Sequence, residues 1–256
     1  MQYLSGLFIF VFGLCIGSFM NVCIYRLPLK KSIVWPGSSC PSCGEPIRFY
    51  DNIPFFSYLW LRGRCRHCSS IIPARYMVVE VMGGAFALLA YLKFGLTLDA
   101  LIHYAFVVSL LIITYIDLDY QIIPDRITLA GIPIGFLLSI PLPQITYGES
   151  ILGILLGGGS LYLVAWLYYA LKKREGMGGG DIKLLAMIGA FLGWKAVLFT
   201  IFIASAVGTI SGLLVMIQKQ DGLKTAIPFG PFLSIGAICY IFLGQKLIAW
   251  YIGLLR

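Results

Sequence analysis

The sequence predicts an all-α integral membrane protein of about eight transmembrane helices, with one zinc-stapled cytosolic segment between the first and second spans. Three observations carry that reading. Of the 256 residues, 59% are hydrophobic and only 12% charged, at a mean hydropathy of +0.90, whereas average soluble domains are about half apolar and about a quarter charged. Apolar runs recur along the chain at close to the ~20 residues of helix that cross a ~30 Å hydrocarbon core. Four of the seven cysteines stand as two C-x-x-C pairs inside the one long polar stretch.

The spans are expected at roughly 3–24, 76–92, 98–116, 127–143, 150–171, 182–193, 196–217 and 231–253. The sixth is short and draws its first turn from the glycine-rich stretch before it. The fourth contains Pro133 and is expected to kink there. The first run has no basic residues ahead of it and no Ala-x-Ala site behind it, so it is expected to be a retained span rather than a signal peptide. Cys15, Cys23 and Cys239 lie in or beside apolar runs and are expected to act as small buried hydrophobes.

Charge sets the orientation. An even number of spans puts both termini on one side. Fifteen of the 19 Lys and Arg residues fall in loops on the opposite side, the other four being Lys93, Lys195, Lys246 and Arg256. Such loops accumulate in the cytosol, so both termini are expected outside. The net charge of +8 is thereby explained by loops flanking a lipid bilayer, without a nucleic-acid-binding face.

The predicted organisation is a first span over 1–25, a cytosolic zinc-binding segment over 26–75 and a transmembrane domain over 76–256. The polar segment is rich in aromatics, including Trp35, Phe49, Phe56 and Trp60. Its ~50 residues nonetheless hold too little apolar bulk for a core without a metal or disulfides. Cys40-Pro41-Ser42-Cys43 and Cys65-Arg66-His67-Cys68 are separated by 21 residues, and each heads a repeat Cys-x-x-Cys-x-x-x-Ile. Two such knuckles suit one tetrahedral zinc held by Cys40, Cys43, Cys65 and Cys68. A cytosolic location argues against disulfides, no βαβ pattern favours a redox pair, and iron is the rival metal. His67 is expected to be a bystander.

Two acids stand at the edges of apolar runs. Gly176-Met177-Gly178-Gly179-Gly180-Asp181-Ile182-Lys183 puts Asp181 just ahead of one, and Tyr115-Ile116-Asp117-Leu118-Asp119 puts Asp117 at the end of another. An ionisable side chain at such an edge is expensive and marks a functional candidate. Both would face the cytosol. Two carboxylates within hydrogen-bond reach share a proton, so that one can take a proton from water while the other polarises a carbonyl. That chemistry hydrolyses a peptide bond without a covalent intermediate. His67 and His103 are the only histidines, which leaves no Ser-His-Asp set and no HExxH site. Asp119 competes with Asp117, and position does not separate them. Asp125, following Pro124, is expected to cap the fourth span. Glu80 is expected to be a satisfied structural acid near a cytosolic helix end, with a place in a ligand pocket as the alternative. Two other function classes remain open at this point. One is a transporter using Asp117 and Asp181 as proton or cation sites, and the other is a zinc-bearing membrane scaffold without catalysis.

Several stretches together resemble the type IV prepilin peptidases, the bifunctional leader peptidase/N-methyltransferases of pilus, type II secretion and competence systems. They are Gly17-Ser18-Phe19-Met20-Asn21-Val22 with Arg26-Leu27-Pro28, the two C-x-x-C pairs, Asn52-Ile53-Pro54 and Leu61-Arg62-Gly63-Arg64-Cys65. Further along come Arg75-Tyr76-Met77-Val78-Val79-Glu80, Ile116-Asp117-Leu118-Asp119 with Ile123-Pro124-Asp125, and Gly178-Gly179-Gly180-Asp181. Many members of that family have Tyr-Pro where this chain has Tyr76-Met77. The resemblance implies aspartyl catalysis by Asp117 and Asp181 within 76–256, in a bacterial inner membrane. It implies prepilin and pseudopilin precursors as substrates, cut after a glycine that ends a short basic leader. It also implies methylation of the new N-terminal residue, usually phenylalanine, with S-adenosylmethionine as donor, and it associates 26–75 with that second activity. No glycine-rich nucleotide loop follows a strand, so the donor-binding residues are unassigned.

Overall fold

The computed structural model describes residues 2–140, 145–174, 178–218 and 228–254. Among these the chain is helical, with no strand beyond two isolated bridges. The helices are α1 (Gln2–Arg26), the short α2 (Phe56–Trp60), α3 (Arg75–Phe94), α4 (Leu98–Tyr120), α5 (Asp125–Leu138), α6 (Tyr147–Lys172), α7 (Gly179–Gln218) and α8 (Gly230–Leu254). Five of them (α1, α3, α4, α6 and α7) are long and apolar enough to cross a membrane, and α8 adds a shorter apolar stretch, Gly230–Gly244.

Three expected spans come out differently. The span expected over 127–143 is α5, which starts at Asp125 and has 14 residues; residues 141–143 lie outside the described ones. It runs through Pro133 without a break, held against α7 where Gly131 meets Met187 and Gly135 meets Phe191. The spans expected over 182–193 and 196–217 are the two arms of α7. A straight helix of its 40 residues would be about 60 Å long, twice a hydrocarbon core. Gly193, at φ 78° and ψ 175°, interrupts it, in a region of backbone space that only glycine enters freely. Gly176 and Met177, in the stretch leading to Asp181, lie outside the described residues.

The chain divides into two compact units, Met1–Ile112 and Ile113–Arg256. In the first, α1 and α3 cross at small residues. Lipid tails are as apolar as leucine, so burying apolar side chains gives little drive between helices, and close backbone approach has to supply the packing. Gly13 and Gly17 face Gly83, Gly84 and Ala87, and a Cβ on Gly17 would lie 2.5 Å from Glu80 Cα. The Tyr104 hydroxyl of α4 donates to the Gly83 carbonyl at 3.1 Å. Cys23 is buried in this unit as expected, but Cys15 is exposed on α1, because its face of the helix points away from α3.

In the second unit α6 and α7 cross where Gly153 and Gly189 meet backbone to backbone and Gly157 lies on Leu185. The Ser150 hydroxyl donates to the Ala190 carbonyl at 2.8 Å. Thr146 and Glu149 form a reciprocal capping box at the start of α6, and Lys195 Nζ reaches Glu149 at 3.3 Å. The Gly193 break therefore lies at the same end of the unit as the start of α6. Along α6, Leu155, Tyr162, Leu163 and Trp166 are all exposed, an apolar surface suited to lipid rather than water.

This packing yields the first testable outcome. Gly153→Ala should destabilise the fold by about 1–3 kcal/mol, because the added methyl meets backbone that cannot yield. Gly159→Ala, on the same helix with open space beside it, should be neutral or stabilising by up to ~1 kcal/mol. Unfolding midpoints of the two variants in one detergent check the contrast.

Candidate active site and metal centre

The four paired cysteines are built by two knuckles of matching geometry. In the first, Cys40 N–H donates to Glu45 O at 2.9 Å and Gly44 N–H returns to Cys40 O at 2.9 Å. In the second, Cys65 N–H donates to Ser70 O at 2.9 Å and Ser69 N–H returns to Cys65 O at 3.0 Å. Isolated bridges close both at the same offset, Ser39 to Pro46 and Arg64 to Ile71. The residue four beyond each leading cysteine is left-handed, Gly44 at φ 74° and Ser69 at φ 57°. The repeat read in the sequence is thus a repeat of structure. The four sulfurs lie within 4.8 Å of one another, and Cys40 Sγ is 3.9 Å from Cys68 Sγ. Tetrahedral ligation at about 2.3 Å per sulfur requires about 3.8 Å between sulfurs, whereas a disulfide requires about 2.0 Å. The group can hold a metal ion. His67 is outside it.

The electrostatics of the group fit a cation. Cys40 is held down to about 6 by hydrogen bonds from the backbone of Cys43 and Ser42, and the Ser70 hydroxyl lowers Cys68. Cys43 accepts from the Glu45 backbone, yet burial and the thiols of Cys40, Cys68 and Cys65 push it up to about 11. Four thiolates this close repel, so one keeps its proton unless a cation shares the site. Beside the knuckles, Arg66 Nε donates to Asp51 Oδ2 at 2.8 Å, which holds the Asp51 carboxyl below its ordinary range.

The acids at the helix ends come together within the second unit. Asp117, in the last turn of α4, is only 5% exposed. Its Oδ2 accepts the backbone N–H of Gly230, at the start of α8, at 3.1 Å. A Cβ on residue 230 would sit 2.6 Å from that oxygen, so only glycine permits the bond. Asp181 opens α7, and its N–H donates to the Gly178 carbonyl at 3.2 Å. Its carboxylate lies within electrostatic reach of Asp117, and its Oδ1 is buried without a hydrogen-bond partner among the described residues. Ile123 is the spacer. A Cβ on Gly180 would lie 2.8 Å from Ile123 Cβ, and one on Gly230 would lie 3.1 Å from its Cδ1. Asp119 is exposed, two residues along the helix from Asp117 and hence on another face.

Asp125 is not a cap. Pro124 occupies the N-cap position with no side-chain cap bond, and Asp125 is the first residue of α5. Its carboxylate is drawn instead to Lys183 of α7, whose Nζ lies 2.8 and 2.9 Å from the two oxygens. Glu80 belongs to the first unit, where its Oε2 accepts the N–H of Phe55 at 2.8 Å. Sequence reasoning missed Gly230, Ile123 and Lys183 as parts of the acid site. For Gly230 the only signal was the Pro228-Phe229-Gly230-Pro231 punctuation that opens α8.

With this geometry in hand, comparison with known proteins is decisive. Residues 11–94 match the model of the bacterial peptidase A24 N-terminal domain, and residues 104–213 match that of the type IV leader peptidase family. A prepilin leader peptidase/N-methyltransferase of Pseudomonas putida is 35% identical over 93% of this chain and 91% of its own length. The chain belongs to the type IV leader peptidase family. The protein of that name from Aeromonas salmonicida (strain A449) is 33% identical over 96% of this chain and 93% of its own. That from Myxococcus xanthus (strain DK1622) is 40% identical over 84% of this chain and 64% of its own. No solved structure matches the chain. The first family model falls inside the unit that carries the cysteines and Glu80, and the second spans Asp117 and Asp181.

The cysteine site makes a pH-dependent prediction. Cys40 is a group whose folded value is depressed, so its thiolate contribution is full at alkaline pH and is lost as pH falls through about 6. Thiolate ultraviolet absorbance of the metal-stripped protein should therefore keep one component at neutral pH that disappears through about 6. In the double variant Cys43→Ser, Cys68→Ser the purified protein should retain no metal, and protease should cut residues 26–75 faster than in the wild type.

Proposed function

We propose that this chain is a membrane aspartyl peptidase that removes the basic leader of prepilins and pseudopilins after a glycine. In this reading it then methylates the new N-terminal residue with S-adenosylmethionine as donor. The observation that carries it is the placing of Asp117 and Asp181 within electrostatic reach of each other at the ends of two spanning helices, with Asp117 held by the N–H of Gly230. The names of the relatives support both activities. The proposed topology has eight spans, counting α5, α8 and each arm of α7, with both termini outside. The 26–75 segment and both acids then lie on the cytosolic side of the bacterial inner membrane. A substrate that enters as one hydrophobic helix, its basic leader left in the cytosol, brings its scissile bond to that depth.

In this reading the first reaction runs as follows. One carboxylate of the pair accepts a proton from water, while the other, protonated, donates a hydrogen bond to the scissile carbonyl. Gly230 N–H keeps Asp117 oriented through this exchange. The Oδ1 of Asp181, without a hydrogen-bond partner among the described residues, is the oxygen with acceptor capacity to spare. Packing of Leu184, Leu185 and Leu233, all fully buried, keeps bulk water away and so strengthens the electrostatics of the pair.

For the second reaction, the donor supplies an electrophilic methyl carbon on a sulfonium. The first unit offers surfaces of the matching chemistry, namely the exposed rings of Phe56 and Trp60, one helical turn apart on α2. The metal proposed for Cys40, Cys43, Cys65 and Cys68 is zinc in a structural role, for which a closed four-sulfur set is suited. It staples the ~50-residue segment and takes no part in either reaction.

Asp117→Asn and Asp181→Asn should each lower cleavage of a synthetic prepilin by about 10²–10⁴-fold while inserting normally. Asp125→Asn should change it by no more than about fivefold, since an exposed ion pair is worth about 0–1 kcal/mol. Mass analysis of the products checks both. Full cleavage by the Asp181→Asn enzyme would end the two-acid reading, and an inactive Asp119→Asn beside an active Asp117→Asn would transfer the role to Asp119.

A further inference from the structure

The acid site leaves three conspicuous stretches without a job: Gly17-Ser18-Phe19-Met20-Asn21 on α1, Asn52-Ile53-Pro54 in the polar segment, and the start of α3 up to Glu80. They meet at one carboxylate. Gly17 crosses against the backbone of Glu80, and the Ser18 hydroxyl bonds its carboxylate. Phe55, directly after Pro54, donates its N–H to Oε2 at 2.8 Å. One turn back on α3, the carbonyl of Tyr76 accepts Asn21 Nδ2 at 3.0 Å. A carboxylate has about four lone-pair positions, so two donors leave Glu80 able to accept more.

Two features say that this is more than a tie between helix and loop. Phe55 takes φ 62° and ψ −53°, a region costly for a bulky residue and one that proteins retain mainly at functional sites. The other acids of the unit are committed or remote. Asp51 is bound by Arg66 through two donor nitrogens, and Glu45 is exposed on the first knuckle. Asp99 sits in the first turn of α4, past the far end of α3. Among nearby cations, Arg26 is spent on the carbonyls of Ser32 and Gly37. Glu80 is thus a half-buried anion, beside exposed aromatics, that no ion pair neutralises among the described residues.

Methyl transfer to a peptide N-terminus needs such a group. A terminal amine has a typical pKa of about 7.7–8.0, so at neutral pH it is largely an ammonium with no lone pair to attack. We propose that Glu80 binds the ammonium freed by leader cleavage and accepts its proton ahead of methyl transfer. The proton moves from nitrogen to the Glu80 carboxylate, leaving a neutral amine and a carboxylic acid. Nitrogen then forms its bond to the methyl carbon as the carbon–sulfur bond breaks, sulfur keeps the electron pair, and the product is a secondary ammonium. This inference rests on the bifunctional reading above and adds the residue that handles the acceptor.

Glu80→Gln is the discriminating variant, because its amide oxygen still accepts from Phe55 and Ser18 while the charge is gone. The test uses full-length enzyme in nanodiscs and three measurements: cleavage of a synthetic prepilin, labelled-methyl transfer to a pre-cleaved peptide beginning with phenylalanine, and binding of that peptide against its N-acetylated form. Wild type should favour the free amine by about tenfold or more, as a charge-assisted bond implies. Glu80→Gln should cleave at the wild-type rate, bind both peptides alike and transfer methyl about 10²-fold more slowly or worse. A Glu80→Gln enzyme that methylates normally, or keeps the preference for the free amine, overturns the proposal alone. A wild-type enzyme that cleaves but never methylates the peptide overturns it together with the bifunctional reading. If Glu80→Gln loses cleavage as well, Glu80→Asp decides: retained preference for the free amine supports the proposal, and loss of it refutes it.

Discussion

The hydrogen bond from Gly230 N–H to Asp117 Oδ2 is the constraint on which the second unit depends. Asp117 stands in the last turn of α4, where the unpaired carbonyls of a helix end are electronegative and an anion is poorly placed. The start of α8 corrects this by offering a first-turn N–H that has no partner in its own helix. That solution forces the rest. Residue 230 has to be glycine, Pro231 can follow because its missing N–H costs nothing in a first turn, and Ile123 has to fill the gap between Gly230 and Gly180. Asp181 is then set by the same wedge that sets Asp117. Neither acid is positioned by its own helix alone.

The lipid solvent explains why glycine recurs wherever two helices meet. A soluble bundle would interleave large side chains and gain from excluding water. Here that gain is small, and contact has to come from backbone brought close to backbone, as at Gly17 on Glu80 and Gly153 on Gly189. The cost is that such crossings tolerate no added atom. The benefit is that polar groups on the crossing helices end up within hydrogen-bond distance of each other, as with Ser150 and Ala190.

Much of this was legible in the sequence, for reasons that differ from part to part. The five long apolar helices read well because apolar run length is set by bilayer thickness, and the four-cysteine cluster read well because its two C-x-x-C pairs stand in a visible repeat. Asp117 and Asp181 stood out because charge at the edge of an apolar run is rare. The signals failed where the partner was remote in sequence and chemically plain. Nothing about a glycine at 230 or an isoleucine at 123 announces that it touches a carboxylate. Asp125 was misread because its local context fits a cap, while the cation that claims it, Lys183, is 58 residues away. The break at Gly193 was read as a gap between two spans, but its angles could not be, since glycine says only that the backbone is free.

The two units solve the same problem with the same device and diverge in one respect. Each holds a carboxylate near a helix end by a backbone N–H from a distant segment, Phe55 to Glu80 at 2.8 Å and Gly230 to Asp117 at 3.1 Å. Each places a glycine against the acid or its backbone, Gly17 at Glu80 and Gly230 at Asp117, so that nothing bulky intervenes. Asp117, however, has a second acid within electrostatic reach, whereas Glu80 has none left uncommitted in its unit. On the proposed reading, two carboxylates within electrostatic reach divide the protonated and ionised roles and suit hydrolysis, in which water both gives and receives protons. A solitary carboxylate has to take its proton from whatever binds it, and that suits a reaction whose nucleophile arrives protonated. On the proposed reading, the number of acids at each site separates the two kinds of chemistry.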